Sequence, residues 1–179
     1  MTLMRTALIL TIVTLICFLR PNAVGESSLF DKSLPEVLET TRLLYGNEGS
    51  AFSTLIQGLS EYTRKVDPQT SEEVKTNMNL FPEYQEQILK DSKQLLAWLK
   101  DVSANHDTKK KVATLLIHLN ETISNMNNLD TEVLLKLSRS MTKEEAEVLS
   151  HLFYPFTSQA FLIQQVMSIR TQQYIAQEL

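Results

Sequence analysis

The chain has 179 residues, a formal net charge of −4 at pH 7 and 21% charged side chains. A mildly acidic chain of this kind is not typical of nucleic-acid-binding proteins, and its net charge does not favour anionic membrane surfaces. Its length suits one domain that can bury a real hydrophobic core.

The N-terminal segment has the layout of a secretory signal peptide. Arg5 precedes the uncharged apolar run Ala7 to Leu19, and the small residues of Ala23 to Gly25 offer a cleavage site. The apolar run is shorter than the roughly 20 residues of a membrane span. A retained signal anchor is the alternative interpretation.

We therefore predict a signal peptide over residues 1–25 and a secreted, extracellular domain over residues 26–179. The only cysteine, Cys17, lies in the predicted leader. The secreted domain would then have no disulfide, so helix packing alone would have to stabilise it.

Helix-start signals divide the first half of the domain into four predicted helices. Ser33 and Glu36 form a capping box with Pro35 in the first turn, and a second box begins at Thr70. Breaks are expected at Gly46 and at the Asp-Pro pair before Gln69. The predicted helices here are 34–45, 50–65, 70–79 and 82–104.

The second half of the domain gives four more helices after a predicted turn at residues 105–107. Asp130 is expected to cap a new helix, Thr142 and Glu145 form a third capping box, and Pro155 is expected to break the chain again. The predicted helices here are 108–125, 130–137, 143–154 and 157–177. The pattern predicts an all-α, single compact domain of seven or eight antiparallel helices.

Catalytic and metal-binding motifs are missing from the sequence. The histidines His106, His118 and His151 form no metal-ligand pair, and we interpret them as structural or solvated side chains. No nucleophile motif or glycine-rich phosphate loop is present. We predict no enzyme, cofactor or metal. Asn120 begins an N-glycosylation sequon, but within a predicted helix.

The helices carry more large apolar residues than one narrow stripe each requires. The excess has two interpretations: an ordinary broad core, or an internal cavity for an apolar ligand. Periodicity does not separate them. The candidate lining residues are Leu95, Leu96, Leu99, Leu115, Leu119, Ile123, Leu134, Leu152, Phe153, Phe156 and Phe161.

Four segments resemble the fatty-acid- and retinol-binding proteins secreted by nematodes, over residues 34–161. Leu34 to Val37 is similar to that family's Pro-Glu-Glu-Val start, and Phe81 to Tyr84 to its S-P-E-L-Y helix entry. Leu137 to Ala146 and Phe153 to Thr157 are similar to two later family segments. Gly46 to Ser50 departs from the family's acidic turn, and the last helix extends past the usual end.

The resemblance implies a secreted helical carrier that binds fatty acids, retinol or a similar apolar ligand non-covalently in an internal cavity. A carboxylate head group would then seek lysines at the cavity mouth, for which Lys90, Lys93 and Lys109 are candidates. Transient membrane contact would fit such a carrier. The alternative is a secreted helical protein-interaction domain with a solid core and an exposed apolar patch.

Overall fold

The computed structural model describes residues 28–46, 49–100 and 106–178, so the predicted signal peptide lies outside the described residues. Within these ranges the chain is helical and contains no strand, which confirms the all-α class. In the described part of the chain, a 3-10 turn over Leu29–Asp31 precedes six α-helices, fewer than the seven or eight predicted. The helices are α1 (Leu34–Leu44), α2 (Ala51–Tyr62), α3 (Pro68–Met78), α4 (Phe81–Leu99), α5 (His106–Arg139) and α6 (Lys143–Glu178).

Two of the predicted capping boxes start helices as expected. The Glu36 carboxylate accepts hydrogen bonds from the Ser33 backbone N–H at 2.7 Å and from its hydroxyl at 2.6 Å. The Thr142 N–H donates to Glu145 at 2.9 Å before α6. These side chains satisfy backbone groups that have no partner within the helix.

Several predicted helix termini are wrong, and α2 ends at Tyr62 and not at residue 65. Helix α3 begins at Pro68 because the Asp67 carboxylate caps it, accepting from the Thr70 N–H at 3.0 Å. Helix α4 ends at Leu99, and the predicted extension to residue 104 lies outside the described residues. His106, expected in a turn, is the first residue of α5.

The predicted break before Asp130 is also wrong, because α5 is continuous over 34 residues and about 50 Å. Asp130 is not an N-cap. Its side chain is buried and its carboxylate accepts a hydrogen bond from the Thr157 hydroxyl at 2.7 Å. A partner on another helix replaces the local cap that the sequence indicated.

Pro155 does not end a helix, since α6 runs through it for 36 residues. Pro155 is exposed, whereas its neighbours Phe153 and Phe156 are at most 1% exposed. An internal proline costs a helix about 3 kcal/mol. Burial of the two flanking phenylalanines, each worth roughly 1.5–3 kcal/mol, offsets that cost.

Helices α5 and α6 form a long antiparallel pair around which the other elements pack. Helices α1 and α2 contact α6, helix α3 contacts α5, and α4 packs against both α1 and α5. Three polar pairs fix the register of α5 and α6. They are Lys109–Glu178 (2.6 Å), Asn127–Gln164 (2.7 Å) and Asp130–Thr157 (2.7 Å).

An aromatic cluster fills the core where α1, α2, α4 and α6 meet. The Tyr45 and Phe156 rings pack edge-to-face with centroids 5.4 Å apart, and Phe52 contacts both of them and Phe81. Each ring is at most 2% exposed. Such pairs add to the stabilisation from apolar burial. None of the helices within the described ranges has the length and apolar character needed to cross a membrane.

Candidate ligand-binding groove

A groove of about 570 Å³ lies between α4 and α5 and opens to solvent along its length. Both helices place polar residues on its rim and apolar residues on its floor. The lining residues are Gln87, Lys90, Asp91, Gln94, Trp98, Lys110, Lys111, Thr114, Leu115 and His118.

The floor of the groove is apolar. Trp98 from α4 and Leu115 from α5 are half-buried and pack against the hydrophobic core. Most of the surface exposed inside the groove is carbon. An aliphatic chain lying there would remove apolar area from water at about 25 cal/mol per Å².

The rim of the groove is cationic. Lys90 from α4 and Lys110 and Lys111 from the first turns of α5 are exposed and line it. No ion pair of these three lysines is found among the described residues. Three ammonium groups around an apolar floor favour a ligand with an anionic head and an apolar tail.

One buried carboxylate lies beside these lysines. Asp91 is 2% exposed and accepts hydrogen bonds from Gln87 Nε2 and His118 Nδ1, both at 2.7 Å. Since a carboxylate is an acceptor, His118 donates from Nδ1, which fixes the orientation of its ring. The pair also links α4 to α5 beside the apolar floor of the groove, and the His118 side chain is 51% exposed.

The structure brings together only part of the predicted head-group set. Lys90 lines the groove, whereas Lys93 is exposed outside it. Lys109 lies 2.6 Å from Glu178, and that hydrogen bond raises the pKa of Lys109. Lys109 is therefore occupied in holding the end of α6.

Most predicted lining residues lie in the packed core. Among them, only Leu115 lines this groove and only Phe161 lines the second groove. Three others, Leu99, Leu134 and Leu152, are half-buried against the core. The fully buried ones, at most 7% exposed, are Leu95, Leu96, Leu119, Ile123, Phe153 and Phe156.

A second groove, of about 620 Å³, lies where α5 and α6 meet the 3-10 turn. Its apolar residues Phe30, Phe161 and Ile169 are each between 38% and 46% exposed. The remaining lining is uncharged, in contrast to the first groove. It consists of Asn120, Gln164, Gln165, Ser168 and Gln172.

The predicted glycosylation sequon lies within α5, at the second groove. The Asn120 side-chain oxygen is buried, and Thr122 is 6% exposed with its hydroxyl bonded to the His118 carbonyl at 2.9 Å. The folded helix therefore buries the Thr122 side chain of the sequon and leaves Asn120 partly exposed at the groove.

The predicted binding site did not include the groove residues Trp98, Lys110, Lys111 and His118. One available signal was Asp91, an acid on the apolar stripe between Ile88 and Leu95. A carboxylate in a buried row requires a partner from another element. That requirement points to a polar contact between α4 and its neighbour.

The part of the chain that the structure describes contains no cluster of three or more side chains suited to hold a metal ion. Comparison with protein families, with curated proteins and with solved structures gave no match. The groove itself is therefore the basis for a functional proposal.

Proposed function

We propose that this chain is a secreted carrier that binds fatty acids, or a similar apolar ligand such as retinol, non-covalently in the α4–α5 groove. The observation that carries the proposal is the arrangement of Lys90, Lys110 and Lys111 around the floor formed by Trp98 and Leu115. The order of the sequence segments that resemble nematode fatty-acid- and retinol-binding proteins gives independent support.

The groove has one role for each part of such a ligand. The acyl chain would lie on Trp98 and Leu115, where each methylene removed from water contributes about 0.8 kcal/mol. The carboxylate would accept charge-assisted hydrogen bonds from the lysines. Because the predicted lining residues fill the core, the ligand would bind at the groove and not in an internal cavity.

The only tryptophan of the chain provides a direct binding assay. Titration with cis-parinaric acid should give saturable energy transfer from Trp98, and oleic acid should reverse it. A Lys110→Ala/Lys111→Ala double variant should bind about tenfold more weakly, equivalent to about 1.4 kcal/mol. Retinol, which has no charge, should lose much less affinity in the same variant.

Lys143→Ala serves as the matched control, because Lys143 is 85% exposed at the start of α6, away from the groove. It should bind like the unmodified chain. Absence of saturable transfer at micromolar protein would refute the carrier function. Equal affinities of the double variant and the control would show that the ligand binds away from the α4–α5 groove.

The second groove supports the alternative function of a protein-interaction domain. Phe30, Phe161 and Ile169 form an exposed apolar patch with no charged residue in the groove lining. Patches of this kind favour protein contacts. This function would replace the carrier if no lipid bound and if Phe161→Glu abolished a self-association measured by sedimentation.

A further inference from the structure

Asp130 places an ionisable group in the middle of the α5–α6 interface. Its side chain is 1% exposed and its Oδ2 atom accepts a hydrogen bond from the Thr157 hydroxyl at 2.7 Å. Its other oxygen, Oδ1, has no hydrogen-bond partner among the described residues. A carboxyl in this position is stable as a neutral acid and costly as an anion.

Among the described residues, no positively charged group lies against this carboxyl. Helix α6 presents the Thr157 hydroxyl, and the C-terminal end of α1 presents the Tyr45 phenol, which is also buried. Within the described ranges, no lysine, arginine or histidine shifts the pKa of Asp130. The cation two turns further along α5, Lys136, is paired with Glu132 at 2.9 Å.

Burial raises the pKa of Asp130 to about 7, and the hydrogen bond from Thr157 lowers it by less. Burial raises the pKa of Tyr45 above its usual range, and the Asp130 charge adds to that effect. The carboxyl therefore changes charge near neutral pH. Its anion has one hydroxyl as its hydrogen-bond donor among the described residues.

Helix α6 contains a position beside the same contact where it can bend. Pro155, two residues before Thr157, has no N–H to donate to the His151 carbonyl, and helices bend most readily at such positions. On the other side of Pro155, Leu152 packs closely on α2, where a Cβ at position 58 would contact the Leu152 methyl groups. The segment before the proline thus packs on α2, and the segment after it contacts the aromatic cluster through Phe156 and α5 through Thr157.

We propose that the hydrogen bond between Asp130 and Thr157 controls a pH-sensitive switch. Ionisation of Asp130 releases α6 from α5, and α6 then bends at Pro155. Below neutral pH the neutral carboxyl holds the two helices together. Above neutral pH the buried anion gains hydration when the interface opens, which exposes the apolar faces of α5 and α6 after the proline. This switch is independent of ligand binding in the α4–α5 groove.

Cysteine labelling tests the switch, because Cys17 is the only thiol to remove. In the full chain with Cys17→Ser, Ala160→Cys places a thiol on α6 after Thr157, at a position that is fully buried. Ser92→Cys is the matched control, at a position of α4 that is 0% exposed and lies outside the α5–α6 interface. The ratio of the two labelling rates cancels the intrinsic pH dependence of thiolate reactivity.

We expect that ratio to rise about tenfold between pH 6 and pH 8, and to change less than twofold when Asp130→Asn is added. A ratio that stays flat with Asp130 present would overturn the proposal, because both thiols would then respond to unfolding of the whole domain. A rise that persists in Asp130→Asn would overturn it as well, since another group would be responsible.

Amide hydrogen exchange of the unmodified chain gives the same test without cysteine variants. After correction for intrinsic rates, residues 156–163 should exchange faster at pH 8 than at pH 6, and residues 88–95 of α4 should not. The Asp130→Asn chain should show no such difference. Equal acceleration of both segments, or none, contradicts the switch even if a cysteine variant fails to fold.

Discussion

Replacing Asp130 by asparagine should stabilise the protein at neutral and alkaline pH. Asparagine has nearly the same shape, and its amide oxygen can still accept the hydrogen bond that Thr157 donates to Asp130 Oδ2. The amide carries no charge, so it avoids the cost of a buried anion that has no cation beside it.

The size and sign of the effect follow from the pKa of Asp130, which burial raises from 3.8 to about 7. Between these values the folded chain binds a proton that the unfolded chain has released, so stability falls as pH rises through this window. Each pH unit is worth about 1.4 kcal/mol, which gives about 4 kcal/mol in total. Above pH 7 this contribution to the free energy of unfolding is fully lost, and stability no longer changes with pH through Asp130.

Urea unfolding at several pH values between 5 and 8 measures this loss. Within that window the unmodified chain should lose about 2–3 kcal/mol, and Asp130→Asn should lose much less. The capping carboxylates Glu36, Asp67 and Glu145 do not interfere, because their pKa values are lowered by hydrogen bonds and their contribution is lost only at more acidic pH.

Asp107→Asn is the control for this measurement, since Asp107 is an exposed carboxyl in the first turn of the same helix. It should keep the pH dependence of the unmodified chain. If Asp130→Asn and the unmodified chain have parallel stability curves between pH 5 and pH 8, Asp130 is ionised throughout and its burial does not control stability.

Three further predictions concern packing and modification. Gly58→Ala should leave stability in urea within about 1 kcal/mol of the unmodified chain, because its Cβ would lie 2.7 Å from Leu152 Cδ1 and displacing that methyl group offsets the helix propensity gained; a loss above about 2 kcal/mol would mean that Leu152 cannot move. Phe156→Ala should lower the free energy of unfolding by about 3–5 kcal/mol, because Phe156 is fully buried. Phe161 is 38% exposed, so Phe161→Ala should lower it by less than about 1 kcal/mol. Equal losses would mean that the aromatic cluster is not the packing centre. Asn120 should remain unmodified in the chain produced by secreting eukaryotic cells, because Thr122 of its sequon is 6% exposed within a helix; a loss of mass on glycosidase digestion that is absent from Asn120→Gln would contradict this prediction.

Local chemistry predicted where helices begin but not where they continue. Ser33 and Thr142 start helices because each cap is complete within four residues of the chain. Asp130 has the same capping chemistry, yet its partner Thr157 is 27 residues away and becomes adjacent only when α5 and α6 pair. Local pattern cannot contain that information, so the predicted break failed.

The candidate groove was predictable in part for the same reason. Lys90 and Leu115 were identified because a head group and an apolar surface each require a definite residue type. Their assembly with Trp98, Lys110 and Lys111 depends on how α4 lies along α5. The contact that fixes this arrangement again links residues 27 positions apart, Asp91 and His118.

The position of α6 in the chain has a consequence for biosynthesis. This helix packs against the 3-10 turn and against α1, α2 and α5, all of which precede it in the sequence. Until α6 has been translated, the apolar faces that it covers have no partner. The hydrophobic core is therefore completed late in synthesis. The nascent chain should depend on chaperones to shield those faces until then.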